Sequence, residues 1–233
     1  MYSFDSRVRY SEVGGGKLLT PLGIINYFQD CSTFQSEDLG IGIEYLQDRR
    51  LVWVLSSWQI VIDRYPKLGE HITISTWPYK FQRFNGFRNF TMTDSGGQMT
   101  AWANSVWSFL NTDTWYMERV PEDIWQKYGI EPPLEMDYAS RKLPLPSDCT
   151  RNESFAVQQH HLDTNHHVNN GQYIAMALEY IPEDFTVRQI RAEYKRSAKL
   201  GDIICPMTQS AGGICTVGLC DEAGRPYTVV ELS

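Results

Sequence analysis

The spacing of apolar residues predicts a helix followed by a long-stranded sheet in the first half of the chain. Thr20 and Pro21 are typical of a helix start. Behind them apolar side chains recur at helical spacing, at Ile24, Tyr27, Phe28 and Cys31. Residues 51–63 are the longest apolar run and, being rich in β-branched and aromatic residues, predict a central strand. Three further strands are expected, at 71–79, 84–94 and 99–111.

The second half of the chain repeats this order of elements. Residues 155–161 predict a strand, and the helix after it carries Tyr173, Met176, Ala177 and Tyr180 at the spacing of the first helix. Lys199-Leu200-Gly201-Asp202 then echoes Lys67-Leu68-Gly69-Glu70, and the turn at 221–224 echoes the one at 94–97. Three echoes in the same order indicate an internal duplication.

The domain organisation follows from this repeat. Residues 1–129 are expected to form the N-terminal half, which ends with a short helix from Pro121, and 151–233 the C-terminal half. Between them, residues 130–150 hold four prolines within fifteen positions and predict a stiff, extended linker. Residues 37–50 are polar, and no regular element is expected there.

Composition narrows the class of protein. The chain has 233 residues and is 42% hydrophobic, which is enough for a large folded core. Its net charge of −7 argues against nucleic-acid binding, and no stretch approaches membrane-spanning length. Five cysteines without a CxxC spacing are typical of reduced thiols in a cytoplasmic protein, so neither a thiol nucleophile nor a metal is expected.

One short segment carries the candidate chemistry. Asp163, Asn165 and His167 alternate along the chain, so in an extended segment their side chains would share one face. Asn169-Asn170-Gly171 reads as a helix start, where backbone N–H groups lack helical partners. A carboxylate, an amide and an imidazole beside such N–H groups can activate water and stabilise an oxyanion.

Two other interpretations of this segment stay open. Four histidines within eight residues suggest a metal site: His160, His161, His166 and His167. Adjacent histidines on a strand point to opposite faces, however, and no cysteine lies nearby in the sequence. The alternative is a structural loop in which Asp163 and Asn165 only bind the backbone.

The chain resembles the acyl-acyl carrier protein thioesterases over nearly its whole length. The resemblance is carried by Asp163-Thr164-Asn165-His166-His167-Val168-Asn169-Asn170, residues 51–69, Ser105-Val106-Trp107, and Glu193-Tyr194-Lys195-Arg196. It implies an α+β tandem double hot-dog fold, in which each half is a long antiparallel sheet wrapped around a central helix. It also implies hydrolysis of the thioester that links a fatty acyl chain to acyl carrier protein, without a cofactor, and an acyl pocket in the first half.

By resemblance the catalytic residues are Asp163, Asn165 and His167, and which of them is the base stays open. Family members commonly carry Glu or Cys just after the Glu-Tyr-basic-basic run, where this chain has Ser197-Ala198. Ser197 is therefore kept only as a candidate that could hydrogen-bond a water. The alternatives are an acyl-coenzyme A thioesterase, a hot-dog enoyl hydratase and a non-catalytic acyl-binding module. Hydratases usually have Pro after the Asn, where this chain has His166.

The expected partner is acyl carrier protein carrying its acyl chain, with no nucleic acid and no membrane, and a homodimer stays open. Acyl carrier proteins are acidic, so a local basic segment is needed for docking. Residues 186–202 supply one, with a local charge of +3 from Arg188, Arg191, Lys195, Arg196 and Lys199 against Glu193 and Asp202.

Overall fold

The chain divides into two structural units. A computed structural model describes residues 1–182 and 184–233. Unit 1 comprises residues 1–56 and 60–138, and unit 2 comprises residues 57–59 and 139–233. Both are antiparallel sheets with a helix packed against them, so the expected α+β class is confirmed. Within the described part of the chain, every helix is too short or too polar to cross a bilayer.

Unit 1 is built around its long first helix. Its elements are β1 (Tyr2–Arg7), a 3-10 turn (Tyr10–Glu12), α1 (Pro21–Asp38), α2 (Ile43–Asp48), β2 (Leu51–Ile62), β3 (His71–Gln82), β4 (Asn85–Asp94), β5 (Met99–Asn111) and α3 (Glu122–Tyr128). The strands lie in the order β1-β3-β4-β5-β2. Helix α1 packs against β1 and β3.

Helix α1 begins and is buried as its sequence predicts. The Thr20 hydroxyl accepts a hydrogen bond from the Gly23 N–H at 3.1 Å, and Pro21 needs no partner at the first helical position. The ring of Phe28 lies 5.3 Å from that of Phe90 on β4. Ile24, Phe28 and Cys31 are fully buried, so the helix fills the interior of unit 1.

Unit 2 has the same plan with a shorter helix. Its elements are β6 (Thr150–Arg151), β7 (Phe155–Ala156), a 3-10 turn (Gln159–His161), α4 (Asn170–Leu178), β8 (Gln189–Tyr194), β9 (Ile203–Ala211), β10 (Ile214–Cys220) and β11 (Pro226–Leu232). The strands lie in the order β8-β11-β10-β9-β6, and β7 also pairs with β9. Helix α4 packs against β10 and β11.

The duplication is present in the hydrogen bonds of the two hairpin turns. Asp94 in unit 1 and Asp221 in unit 2 each accept two backbone N–H groups within their own turn. Each carboxylate is also bound by an arginine thirty or fewer residues away, Arg64 at 2.8 Å and Arg196 at 3.0 Å. The backbone hydrogen bonds and the arginine lower the pKa of both carboxyl groups.

Residues 37–50 are not irregular, as their polarity suggested, because they contain α2 and the end of α1. The Glu37 carboxylate accepts the Ile43 N–H at 2.8 Å, so the group that caps α2 comes from six residues earlier in the chain. Leu46 on α2 then packs in a buried cluster with Ile41 and Phe109. The usual capping patterns place the capping residue directly before the helix, so they do not predict this one.

The strand expected at 155–161 is also wrong for most of its length. Only Phe155–Ala156 pairs as a strand, and a 3-10 turn follows. The Gln158 N–H donates to Nδ1 of His161 at 3.0 Å, a local bond that competes with sheet pairing. Helix α4 ends at Leu178, so Tyr180 lies outside the helix to which its spacing assigned it.

The beginning of the proline-rich segment packs on the sheet of unit 1. Trp77 Nε1 donates to the Pro132 carbonyl at 2.9 Å. The buried side chain of Asn89 accepts both the Leu134 N–H and the Tyr138 hydroxyl. Residues 132–138 are therefore bound to the outer side of β3 and β4 by specific hydrogen bonds.

Candidate active site

Residues 163–167 form a tight turn at the entry to α4, here called the Asp163 turn. The Asp163 N–H donates to the His167 carbonyl at 2.8 Å, and the His166 N–H donates to the Asp163 carbonyl at 3.1 Å. Leu162 and Val168 pair across the base of the turn. The expectation of an extended segment with alternating side chains is therefore wrong.

The Asp163 side chain stabilises this turn by offering the backbone a local partner. Its Oδ1 atom accepts the N–H groups of Asn165 at 2.8 Å and His167 at 3.2 Å. Aspartate commonly stabilises turns in this way, in competition with strand pairing. His166 occupies the left-handed region with a φ of 59°, which completes the reversal of the chain.

The Asp163 turn brings the three predicted residues together by another route than the one expected. Asp163 contacts the main chain of both Asn165 and His167. Asp163 and His167 are half-buried, whereas Asn165 is exposed. Both backbone bonds go to Oδ1 of Asp163, which leaves Oδ2 outside the bonds of the turn.

The start of α4 offers fewer open N–H groups than the sequence suggested. Asn169 is the N-cap, and its Oδ1 accepts the Gly171 N–H at 2.8 Å. The Asn169 carbonyl accepts the N–H groups of Gln172 and Tyr173. In the described part of the chain, the first helical amide outside these bonds is that of Asn170, which therefore joins Asn165 as a candidate donor to an oxyanion.

Ser197 lies on the segment that runs beside the turn. His167 pairs with Lys199, and the Val168 N–H donates to the Ala198 carbonyl at 3.0 Å. This register places Ser197 beside the helix start, with an exposed side chain. The neighbouring segment is thus fixed to the turn by its main chain.

Sequence reasoning missed the role of Tyr173. The spacing of apolar residues places Tyr173 on the buried face of α4, but its hydroxyl oxygen also accepts the Ala198 N–H at 2.7 Å. Burial raises the pKa of the Tyr173 hydroxyl well above its usual value. The signal available was a tyrosine in a buried aliphatic stripe, because a buried hydroxyl needs a hydrogen-bond partner.

Unit 1 contains a second turn with the same backbone at residues 14–18, here called the Gly14 turn. In both turns the first N–H donates to the fifth carbonyl, at 3.0 Å in the Gly14 turn and 2.8 Å in the Asp163 turn. The fourth residue has positive φ in both, 57° at Lys17 and 59° at His166. Both turns follow a 3-10 turn and lead into the capped helix of their unit.

The side chains of the two turns differ completely at the three predicted positions. The equivalent pairs are Gly14 and Asp163, Gly16 and Asn165, and Leu18 and His167. The same backbone therefore forms in unit 1 without a carboxylate, an amide or an imidazole. This argues against the structural-loop interpretation, because the turn does not require these side chains.

The other candidate groups have ordinary structural environments. His161 accepts the Gln158 N–H through Nδ1, and burial together with neighbouring His160 lowers the pKa of His161. Burial raises the pKa of the Cys31 thiol to about 12 and that of Cys220 to about 11. Among the described residues no three His, Cys, Asp or Glu side chains are grouped as a metal site would need.

The basic segment at 186–202 is largely neutralised within unit 2. Arg191 binds Glu231 at 2.6 Å, Lys195 binds Glu193 at 2.5 Å, and Arg196 binds Asp221 at 3.0 Å. These internal ion pairs reduce the charge that the segment can offer to a partner.

Solved structures with the same architecture are acyl carrier protein thioesterases. An acyl-ACP thioesterase from Bacteroides thetaiotaomicron has a TM-score of 0.91 and 22% identity, with 99% of this chain and 96% of that chain covered. The 12:0-ACP thioesterase from Umbellularia californica has a TM-score of 0.87 and 20% identity, with 99% and 96% covered. These matches confirm the tandem double hot-dog fold.

The family follows from the sequence comparisons. The model of the acyl-ACP thioesterase N-terminal domain matches residues 1–128, and that of the C-terminal domain matches residues 146–221. The chain therefore belongs to the acyl-ACP thioesterase family. A relative is the oleoyl-acyl carrier protein thioesterase 1 of Arabidopsis thaliana, 28% identical over 228 residues, or 89% of this chain and 63% of the relative. The chain spans between half and two thirds of the length of the curated relatives it matches.

Proposed function

We propose that this protein hydrolyses the thioester of fatty acyl-acyl carrier protein and releases a free fatty acid. The family match supports this activity. The observation that carries it is the contrast between the two turns. The same backbone recurs in both units, and the turn in unit 2 carries a carboxylate, an amide and an imidazole where the other has two glycines and a leucine.

The chemistry requires a positioned water, a base and an oxyanion donor. The water oxygen attacks the thioester carbonyl carbon while its proton passes to Asp163 or His167. The tetrahedral intermediate carries a negative oxygen, and its proposed hydrogen-bond donors are the Asn165 side-chain amide and the Asn170 N–H. The C–S bond then breaks, and the proton returns to the sulfur of the carrier's prosthetic group.

The two carboxylate oxygens of Asp163 have different proposed roles. Oδ1 is held by the N–H groups of Asn165 and His167. These bonds fix the carboxylate while Oδ2 stays outside the turn and is available to a water. His167 is half-buried in the same turn, and an imidazole can both accept a proton and return it. Ser197 contributes at most a hydrogen bond to the same water.

The acyl chain is proposed to lie in unit 1. On the face of its sheet toward α1, β5 carries three small and fully buried residues, Ala101, Ala103 and Ser105. Ala103 pairs directly with Phe90, whose ring contacts Phe28 of the helix. Small side chains beside a long buried helix are where an alkyl chain could enter with little rearrangement.

A cytoplasmic location belongs to the same proposal. The five cysteines are free thiols, as is typical of a reducing compartment. The Arabidopsis relative is described as chloroplastic, which is a statement about that protein. A homodimer stays an expectation that light scattering would test.

The proposal is tested by the release of free thiol from a panel of acyl-carrier-protein and acyl-coenzyme A thioesters of increasing chain length. We expect hydrolysis of carrier-protein thioesters, with a clear preference over the coenzyme A thioester of the same chain. Preference for coenzyme A would change the substrate class. Tight binding without turnover would favour an acyl-binding module.

A further inference from the structure

The Gly14 turn lies in an exposed surface of unit 1 that is basic and apolar. An open groove of about 660 Å³ runs beside it, lined by residues 6–9 with Leu68 and Gly69. The exposed side chains of the surface are Arg7, Arg9, Lys17, Leu18, Lys67 and Leu68. We call these six residues the basic surface of unit 1.

Hydrogen bonds to the main chain hold the basic surface together. Leu18 pairs with Lys67, and the Leu68 N–H donates to the Lys17 carbonyl at 2.9 Å. Arg7 Nε donates to the Gly69 carbonyl at 2.7 Å, which fixes the arginine over the groove. Segments distant in sequence therefore present their side chains at one fixed location.

The carboxylates close to this surface are committed to internal bonds. Glu70 is bound by Arg64 at 2.7 Å and accepts the Lys67 N–H, and the hydrogen bonds to Arg64 lower its pKa. Glu12 is mostly buried, accepts both the Arg9 N–H and the Tyr27 hydroxyl, and forms an ion pair with the Arg9 guanidinium at 3.6 Å. Asp5, two residues before Arg7 on β1, accepts the Thr73 hydroxyl. Among the described residues, the exposed cations Arg7, Lys17 and Lys67 thus stand outside ion pairs, on a chain whose net charge is −7.

The equivalent surface of unit 2 keeps only part of this character, because Lys199 and Leu200 stand at the positions of Lys67 and Leu68. The backbone bonds that the two turns share place Arg7 and Arg9 of unit 1 at the positions of Ala156 and Gln158 of unit 2. Lys17 and Leu18 likewise stand where the Asp163 turn has its histidines. The two units have therefore diverged at the turn and in the segment before it. Unit 2 carries an acid, an amide and an imidazole there, whereas unit 1 carries Arg7, Arg9, Lys17 and Leu18.

We infer that the basic surface of unit 1 is the docking surface for an acidic protein, which under the proposed function is the acyl carrier protein. Opposite charge steers association and fixes orientation, while the exposed leucines supply apolar contact at the centre. The groove beside Arg7 accommodates a side chain or loop of that partner. This inference rests on the proposed function for the partner's identity but not for the nature of the surface.

The experiment reverses two charges whose side chains hold no structural bond. Lys17→Glu with Lys67→Glu is compared with a control pair that makes the same charge change at exposed positions elsewhere, Arg119→Glu with Arg141→Glu. For each protein, kcat/KM is measured on an acyl-carrier-protein thioester and on a small soluble thioester, at low and at high salt. Affinity for carrier protein without an acyl chain is measured in parallel.

We expect the Lys17 and Lys67 pair to lose about tenfold or more in kcat/KM on the carrier-protein substrate at low salt, mainly through KM. The loss should shrink at high salt, since exposed charges are screened. The Lys17 and Lys67 pair should hydrolyse the small thioester at the unchanged rate. The control pair should be unchanged on both substrates.

Several results would overturn the inference. These are an unchanged carrier-protein reaction, an equal loss on both substrates, an equal loss in the control pair, or a larger loss on reversing Arg188 and Lys199. If the unmodified protein binds the carrier but hydrolyses no thioester, the proposed function fails. The docking surface would then stand if the Lys17 and Lys67 pair alone weakened binding, and would fail if it did not.

Discussion

The Ala198 N–H donates to the Tyr173 hydroxyl oxygen at 2.7 Å, and both residues are buried. The equivalent residues of unit 1 are Pro66 and Ile24, as the matching bonds from Leu19 and Val168 to the carbonyls of Pro66 and Ala198 show. Proline has no N–H, and isoleucine has no hydroxyl. Unit 2 therefore pairs its buried N–H with a hydroxyl. Unit 1 has neither group at the equivalent positions, so no hydrogen bond is required there.

Replacing Tyr173 with Phe leaves the buried Ala198 N–H without a partner, which should cost about 1–3 kcal/mol of unfolding free energy. Urea unfolding monitored by circular dichroism measures this loss. Tyr194→Phe is the matched control, because the Tyr194 hydroxyl donates to a carbonyl, that of Asn170. An unpaired buried carbonyl costs less free energy than an unpaired buried N–H, so Tyr194→Phe should destabilise the protein less than Tyr173→Phe.

The pair from unit 1 provides a second check on this bond. Tyr173→Ile with Ala198→Pro removes the hydroxyl and the N–H together, and should be less destabilised than Tyr173→Ile alone. Additive losses in the double variant would mean that the hydrogen bond contributes nothing.

Single substitutions in the Asp163 turn should separate chemistry from structure. Asp163→Asn keeps a side-chain oxygen for the two backbone N–H groups but removes the charge, so kcat should fall far more than KM rises. His167→Ala should behave alike, and Asn165→Ala should lose on the order of a hundredfold in kcat. Steady-state kinetics with thermal melts of each variant provide the measurement. Near-normal turnover in Asp163→Asn or His167→Ala would mean that the residues are misassigned.

His161 should contribute to the pH dependence of stability. Its pKa is lower in the folded protein than the ordinary value near 6.5, so the unfolded chain binds more protons. Its contribution is therefore present above about pH 6.5 and is lost as the pH falls toward the folded pKa. His161→Asn retains an acceptor for the Gln158 N–H but does not titrate. The stability difference between pH 7.5 and pH 5.5 should be smaller in the variant, and an unchanged difference would contradict this role.

Arg88 brings a buried positive charge into the interior of unit 1. Its guanidinium hydrogen-bonds the side chains of Gln35 and Thr76 and lies 5.2 Å from the ring centre of Tyr128, and burial lowers its pKa. Gln35→Leu removes an acceptor from a buried charged donor and should cost about 2 kcal/mol or more. Gln35→Glu supplies a counter-charge and should be much milder. Chemical denaturation measures the unfolding free energy of both variants. Equal losses in Gln35→Leu and Gln35→Glu would show that only packing matters at residue 35.

The sequence predicted best where a local pattern and the tertiary structure agree. The apolar run from Leu51 gave β2 within one residue of its observed end, and Thr20 with Pro21 gave the start of α1. In both elements the apolar residues whose pattern predicts the element are also the ones that pack in the core. The α2 helix was missed because its cap, Glu37, is six residues away from the amide that it binds.

The shape of the candidate site differs from the one that the sequence suggested, and the assignment of its residues stays a prediction. Alternation suggested an extended segment, yet the chain turns at 163–167 and Asp163 stabilises the turn through bonds to the backbone of Asn165 and His167. Spacing alone does not distinguish a side chain that projects from a strand from one that folds back on its own main chain. The hydrogen bond of Tyr173 was likewise hidden, because its partner Ala198 is 25 residues further along the chain.

The central claim is that the side chains of the Asp163 turn, and not its backbone, carry thioester hydrolysis. The most direct measurement transplants the Gly14 turn onto it, with Asp163→Gly, Asn165→Gly and His167→Leu, and follows free thiol released from acyl-carrier-protein thioester. Because unit 1 forms the same turn with those residues, we predict a folded variant with an unchanged circular dichroism spectrum, retained binding of carrier protein, and turnover at the background rate. Substantial turnover in this folded variant would contradict the account.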